Sequence, residues 1–279
     1  LKREVNMLKQ NISLQADEYI GDDGKIYCKN CKTPRTWTSD DGEFNVRCLC
    51  KCQAEEEERK EIERQKLLKL EKINELKQLS LLGRRYENSD FQKLDMKRPI
   101  SFQKAVKRCE NYCKNWKIVR QAGLGMYIFG DVGTGKTELV ACICNQLMKQ
   151  LTPVILTNFL EISKKLRDTY NREIETENEI ISKLANVDLL VIDDVGSERL
   201  IKNGSESFMQ EKIYDIINRR YTNKMPTIFT SNYSIQDLIN DRGLEVKTAD
   251  RIAEMSNAVI KLEGTSYRET MLRRKNESS

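Results

Sequence analysis

Met126-Tyr-Ile-Phe-Gly-Asp-Val-Gly-Thr-Gly-Lys-Thr137 is the stretch on which the reading of this chain turns. Four apolar residues, Met126 to Phe129, run straight into Gly130-x-x-x-x-Gly135-Lys136-Thr137, and a helical pattern follows from Glu138 to about Gln150. Strand, glycine-rich loop and helix in that order are the context in which such a loop cradles phosphate. Glycine lets the backbone fold tightly and turn successive N–H groups towards one anion, and the helix adds the positive end of its dipole. Gly130, Asp131, Val132, Gly133, Thr134 and Gly135 are therefore expected to wrap a phosphate chain, with Glu138 in the first turn behind them. Lys136 would reach the β- and γ-phosphates and Thr137 would hold Mg²⁺. The stretch implies a nucleoside triphosphate as ligand.

A second stretch completes that site. Asp188-Leu-Leu-Val-Ile-Asp-Asp194 is almost wholly apolar until its end, the mark of a parallel strand covered on both faces. An acid at the C-terminal end of such a strand, beside the phosphate loop, can hold Mg²⁺, and Asp193 suits that role. Asp194 lies where a carboxylate could orient or deprotonate an attacking water, with Glu198 a weaker candidate. Thr230-Ser-Asn232 ends a later strand, so Asn232 is placed to feel whether the third phosphate is present. Arg251, in Asp250-Arg-Ile-Ala-Glu254, is a candidate arginine finger; on its residues alone it reads equally as a surface ion-pair residue.

Around these stretches strands alternate with helices for nearly 200 residues, with strands expected at Val154–Thr157, Asp188–Asp194, Thr227–Thr230 and Ala258–Leu262. That alternation specifies an α/β fold with a doubly wound parallel sheet flanked by helices. The helix starting at Pro99 carries Ala105, Val106, Cys109, Tyr112, Cys113 and Trp116 on one face. Its cysteines, like Cys142 and Cys144, read as packing residues.

Composition narrows the chemistry. The 279 residues include 48 basic and 43 acidic ones, a net charge of +5, which is compatible with a nucleic-acid partner without demanding one. Histidine is absent, so acid–base work must fall to carboxylates or lysine. With a mean hydropathy of −0.63 and no apolar run near the ~18 residues of a membrane span, a soluble, cytoplasmic protein is expected. Basic clusters such as Arg219-Arg220 and Arg273-Arg-Lys275 are candidate nucleic-acid contacts, or simply a solvated face.

The N-terminal part has a different character. Residues 1–19 carry Val5, Met7, Leu8, Ile12 and Leu14 and read as a short amphipathic helix. Five of the nine cysteines then crowd into residues 28–52. Cys28-Lys-Asn-Cys31 has the tight spacing of two thiolates on one tetrahedral ion, and Cys48-Leu-Cys50-Lys-Cys52 offers three cysteines for two further places. With so few large apolar residues nearby, the folding energy must come largely from a metal, and Zn²⁺ is the expected ion. Spacing leaves the second pair open: Cys48 with Cys52 would share a face if the following helix starts early. From Gln53 to about Leu82 no glycine or proline interrupts a charged helix with a narrow apolar stripe, which reads as a spacer or as a surface for a second copy of itself. Three segments result: residues 1–53, a helix plus cysteine module; 54–83, a linker helix; and 84–279, the nucleotide-binding domain.

Taken together, Tyr127-Ile-Phe-Gly-Asp-Val-Gly-Thr-Gly-Lys-Thr137, Asp188-Leu-Leu-Val-Ile-Asp-Asp-Val-Gly-Ser-Glu198, Thr227-Ile-Phe-Thr-Ser-Asn232 and Gly264-Thr-Ser-Tyr-Arg268 resemble the AAA+ helicase loaders of the DnaC and DnaI type, their phage versions and the related IstB transposition ATPases. The cysteine module is similar to that of the DnaI and phage members, and within it the pair Cys50 and Cys52 resembles the second pair of phage loaders, giving the set Cys28, Cys31, Cys50 and Cys52. The resemblance implies an AAA+ ATPase with little or no lid domain, using ATP and Mg²⁺. It implies Asp193 as the Mg²⁺-side acid, Asn232 as the sensor residue and Arg251 as a finger serving the neighbouring subunit of an ATP-dependent homo-oligomer. Arg268 falls near the place of a second sensor. It further implies that the N-terminal domain grips a hexameric replicative helicase while the ATPase domain gathers around single-stranded DNA. A transposase-partner ATPase and a nucleotide-dependent replication adaptor are the alternatives.

Overall fold

The computed structural model describes residues 14–39, 45–76, 79–83, 86–169, 176–197, 204–264 and 266–267. The chain divides into two compact units, Leu1–Leu68 and Lys69–Ser279.

In the first unit, strand β1 (Glu18–Ile20) pairs antiparallel with β2 (Ile26–Cys28), closed by a turn in which Gly24 takes a positive φ. Strand β3 (Thr36–Thr38) pairs antiparallel with β4 (Asn45–Arg47). Helix α1 (Lys51–Leu76) begins here. The amphipathic helix expected over 1–19 does not extend to Glu18 and Tyr19, which are strand because they pair with Cys28 and Tyr27 across the hairpin; its residues 1–13 lie outside the described ones. Among the described residues, apolar side chains contribute little to the middle of this unit. Arg35, only 2% exposed, donates to Glu18 at 3.1 Å and Asp17 at 2.6 Å, and the fully buried Glu18 also pairs with Arg47 at 2.9 Å.

Helix α1 starts two residues before the expected Gln53 and stops before the expected Leu82. Its early half is held by pairs one turn apart, Glu56 with Arg59 and Lys60, and Glu61 with Arg64. Ile62, Leu67 and Leu68 are exposed, whereas Ile73 and Leu76 are buried in the second unit. Beyond the helix, residues 79–83 cover a sheet edge. The Leu81 N–H donates to the Leu156 carbonyl at 2.6 Å, and the Ser80 hydroxyl accepts from the Leu156 N–H at 3.2 Å.

The second unit is built on five parallel strands: β5 (Met126–Gly130), β6 (Val154–Thr157), β7 (Leu189–Val195), β8 (Thr227–Ser231) and β9 (Ala258–Leu262), in the order β6-β7-β8-β5-β9. Among the described residues, eight helices accompany them: α2 (Ile100–Lys114), α3 (Trp116–Ala122), α4 (Lys136–Lys149), α5 (Phe159–Asp168), α6 (Glu177–Asn186), α7 (Gly204–Thr222), α8 (Ile235–Asn240) and α9 (Val246–Met255). Strand side chains alternate between two buried clusters, one on each face of the sheet. Ile128 and Val191 join Phe102, Cys109, Leu139 and Ile143 on one side; Tyr127 and Leu190 join Ile162, Leu166, Ile216 and Ile252 on the other. The expected parallel sheet flanked by helices is thus present, and Cys109, Cys113, Cys142 and Cys144 are buried packing residues. In sheet order β8 lies between the acidic strand β7 and the phosphate-loop strand β5.

One correction in this unit concerns Arg220. It is no surface cation: it is fully buried, and its Nη1 donates to the carbonyls of Leu184, Ala185 and Val187, its Nη2 to that of Pro226 and its Nε to the Thr227 hydroxyl. The guanidinium caps the C-terminal end of α6, where free carbonyls and the helix dipole favour a cation, and ties it to the start of β8. Burial lowers its pKa to about 9, still high enough to keep it charged at neutral pH. No helix among the described residues is long and apolar enough to cross a membrane.

Candidate functional site

The phosphate loop forms where β5 runs out beside β9. Gly130 has φ +147°, and a Cβ there would sit 2.1 Å from the Leu262 carbonyl oxygen, so only glycine fits. Gly133, at φ +82°, is pressed against Ser266, while the Tyr267 N–H donates to the Gly133 carbonyl at 3.0 Å. Thr134 closes the loop on itself, its hydroxyl donating to the Asp131 carbonyl at 2.8 Å. Helix α4 then starts with Lys136, whose buried Nζ donates to the carbonyls of Gly130 and Asp131 at 2.7 and 2.9 Å and to Asn232 Oδ1 at 2.7 Å.

Across from this loop, β7 carries a β-bulge. Ile192 faces Phe229 and Val195 faces Ser231, so Asp193 and Asp194 together stand opposite the single residue Thr230. Asp194 takes φ +57°, the left-handed region that aspartate tolerates better than most residues. The Thr230 hydroxyl fastens both halves of the bulge: it donates to Asp193 Oδ1 and accepts from the Asp194 N–H at 2.9 Å. From the other side the Thr137 hydroxyl donates to Asp193 Oδ2 at 2.9 Å, and Asn232 Nδ2 donates to Asp194 Oδ1 at 3.2 Å. Asn232 is thus hydrogen-bonded to both the loop lysine and the second acid. Burial pushes the Asp193 carboxyl above its ordinary range, and the neighbouring Asp194 adds to this against the Thr230 and Thr137 bonds and the Lys136 charge. A buried carboxylate beside a hydroxyl is a hard-oxygen donor set that suits Mg²⁺, and a divalent ion there would offset the burial.

These residues line one cavity of about 410 Å³ with Val132, Gly133, Gly135, Glu138, Tyr86, Ser89, Arg98 and Tyr267. The sequence reading missed five of its members, Tyr86, Ser89, Arg98, Thr230 and Tyr267. Thr230 could have been suspected as a polar residue in a fully buried strand, but Arg98 and Tyr267 reach the loop only through the tertiary fold. Arg251 does not line this cavity: it pairs with Glu254 at 2.6 Å and lies over the Tyr221 ring at 4.2 Å. Glu198, Arg268 and the Arg273–Lys275 run lie outside the described residues.

The second chemical centre is in the first unit. The sulfurs of Cys28, Cys31, Cys50 and Cys52 all lie within 4.8 Å of one another, with Cys28–Cys52 at 3.6 Å and Cys50–Cys52 at 3.3 Å. Four thiolates at about 2.3 Å from one tetrahedral ion would stand ~3.8 Å apart, so the set fits zinc. Cys28 ends β2, Cys31 follows on a tight turn, and Cys50 and Cys52 flank the start of α1. The Cys31 thiol is drawn down to about 5 by the Thr33 hydroxyl, whereas Cys52 is pushed up to about 12 by the sulfurs of Cys50 and Cys31. Cys48 stays out of the group although α1 does start early. It sits in the extended segment after β4, its N–H bonded to the Arg35 carbonyl and its thiol directed at the Pro34 carbonyl.

Comparison with known proteins places these centres in context. The family described as IstB-like ATP binding protein matches residues 55–278. The replicative helicase loader DnaC of Escherichia coli (strain K12) is 29% identical over 160 residues, which cover 54% of this chain and 63% of DnaC, so the chain spans less than two thirds of that relative. The phage-like element PBSX protein XkdC of Bacillus subtilis (strain 168) is 23% identical over 259 residues, 91% of this chain and 89% of XkdC. The crystal structure of the DnaC helicase loader superposes with a TM-score of 0.54 at 23% identity over 65% of this chain and all of that one, a likeness of fold.

Proposed function

Because the chain belongs to the IstB-like ATP-binding protein family, we propose that it is an AAA+ ATPase that loads a hexameric replicative helicase onto single-stranded DNA. The observation that carries the ATPase reading is the convergence of Lys136, Thr137, Asp193, Asp194 and Asn232 on one cavity from the start of α4 and the ends of β7 and β8. The backbone of residues 130–137 and Lys136 bind the phosphates of ATP. Thr137 and Asp193 would hold Mg²⁺, and the ion would supply neutralisation of charge on the phosphates. Asp194 orients the attacking water and accepts its proton, and Asn232 links that carboxylate to the lysine that feels the third phosphate. Arg251, outside its own chain's cavity, serves the site of a neighbouring subunit when ATP drives assembly. The likeness to a replicative helicase loader favours loading over transposition, and the four-cysteine centre, holding structural Zn²⁺, supports the same choice. In this reading residues 1–83 grip the helicase and the remainder engages DNA.

The test separates binding from turnover. Lys136→Ala is expected to abolish nucleotide binding measured by calorimetry, while Asp194→Asn retains binding and loses at least about tenfold in steady-state hydrolysis. Unchanged hydrolysis in both variants would sink the assignment. Light scattering of mixtures with a hexameric helicase tests the partner: a complex held equally well by residues 84–279 would defeat the division of labour.

A further inference from the structure

We propose that Arg98 is a second phosphate-binding cation of the nucleotide site, acting on the side of the loop away from Asp193 and Asp194. This rests on the reading of the cavity as an ATP site. Arg98 lies in the segment ahead of α2 and is only 7% exposed, yet it lines the cavity with the loop residues. Its Nη2 donates to Glu138 Oε2 at 2.7 Å. Its Nε and Nη1 are buried and have no hydrogen-bond partner among the described residues. Buried donors left unpaired are costly. Nη1 is also close to the loop itself: a Cβ at Gly135 would stand 2.5 Å from it.

The chemistry of the missing partner follows from what is already covered. The guanidinium carbon lies 4.3 Å from the centre of the Phe102 ring and 3.7 Å from that of Tyr267. With aromatic rings already stacked on it, the guanidinium has little face left for a base, and its free donors point outward in its plane. Donors in that plane take anionic oxygens best, which selects the phosphate chain over the base. The position along that chain also follows. Lys136 and Thr137 make the bonds towards Asn232 and Asp193, whereas Arg98 bonds one residue further along α4, to Glu138. Arg98 therefore serves the α- and β-phosphates, which ATP and ADP share.

Binding of fluorescent ATP and ADP analogues to the full chain tests this, with far-UV circular dichroism and melting of each nucleotide-free variant as the folding control. Arg98→Gln and Arg98→Lys are both used, because the lysine keeps a charge beside Glu138 if the glutamine variant fails to fold. Loss of a charge-assisted bond corresponds to a fall in affinity of about ten- to a hundredfold. The expected result is a fall of that size, equal for ATP and ADP, and weaker competition by inorganic tripolyphosphate. A folded Arg98→Lys that binds both nucleotides as the wild type does would overturn the proposal, leaving Arg98 a packing residue. A loss confined to ATP would overturn its placement on the α/β side. A folded wild-type chain that binds neither nucleotide would instead refute the ATP reading on which the proposal stands, an outcome separable from the others.

Discussion

The two units of this chain solve the same problem with opposite materials. Around the sheet, buried leucine, isoleucine, valine and phenylalanine fill both faces, and a buried charge such as Arg220 is held by a ring of carbonyls. In the cysteine unit the strands are three residues long and the centre holds four sulfurs with the Arg35–Glu18–Arg47 ion cluster. A unit of the first kind is held by area removed from water. A unit of the second kind is held by a few strong, specific bonds and has little to fall back on when one is lost. The two should therefore fail under different insults.

Metal removal should separate them most widely. Structural zinc in small modules contributes apparent binding energies of about 10–16 kcal/mol, nearly all of it folding energy. A strong chelator should abolish protection of backbone amides in residues 14–39 and 45–50, followed by hydrogen exchange, while nucleotide still stabilises the sheet unit. Cys50→Ser should reproduce that loss and Cys48→Ser should retain metal, because the Cys48 thiol faces the Pro34 carbonyl and not the cluster. Simultaneous collapse of both units on chelation would break the comparison.

The converse insult is Arg220→Met. It fills similar volume with hydrocarbon but strands the carbonyls of Leu184, Ala185, Val187 and Pro226. A cost of about 3–5 kcal/mol is expected, read as a lower melting transition of the sheet unit alone, with bound metal unchanged. A smaller and more local effect belongs to Thr230→Val. The shape is kept, but both bonds to the bulge disappear, so a loss of ~1–2 kcal/mol in stability is expected. Hydrolysis should fall by more than ATP affinity, because Lys136 and the loop are untouched; an equal fall in both would mean that Thr230 shapes the pocket and not the acid pair.

How much of this was legible in the sequence follows the range of the interactions. The phosphate loop, the acidic strand and the cysteine pairs are local patterns, each carried by neighbours in the chain, and they predict the parallel sheet and the groups that gather in each centre. What escaped depends on residues far apart in sequence. The insertion of β8 between β5 and β7 is a matter of sheet order, and Thr230 acquires its role only through it. Arg98 meets Glu138 40 positions away. Arg220, half of an apparently exposed basic pair, is drawn inward by carbonyls more than 30 positions earlier. The first hairpin was hidden for another reason: Glu18 and Tyr19 look like the polar end of a helix until Cys28 and Tyr27 are set beside them.

The bulge in β7 has a consequence in parity. Along a regular strand consecutive side chains alternate between faces, so two adjacent aspartates could never serve one cavity. One surplus residue opposite Thr230 changes odd to even, and Asp193 and Asp194 both come to line the same space. The site thereby depends on a count as much as on a composition. Removing a single residue between Ile192 and Val195 would keep an acid and the strand but return the pair to strict alternation, and no substitution elsewhere in the strand could restore the second carboxylate to the cavity.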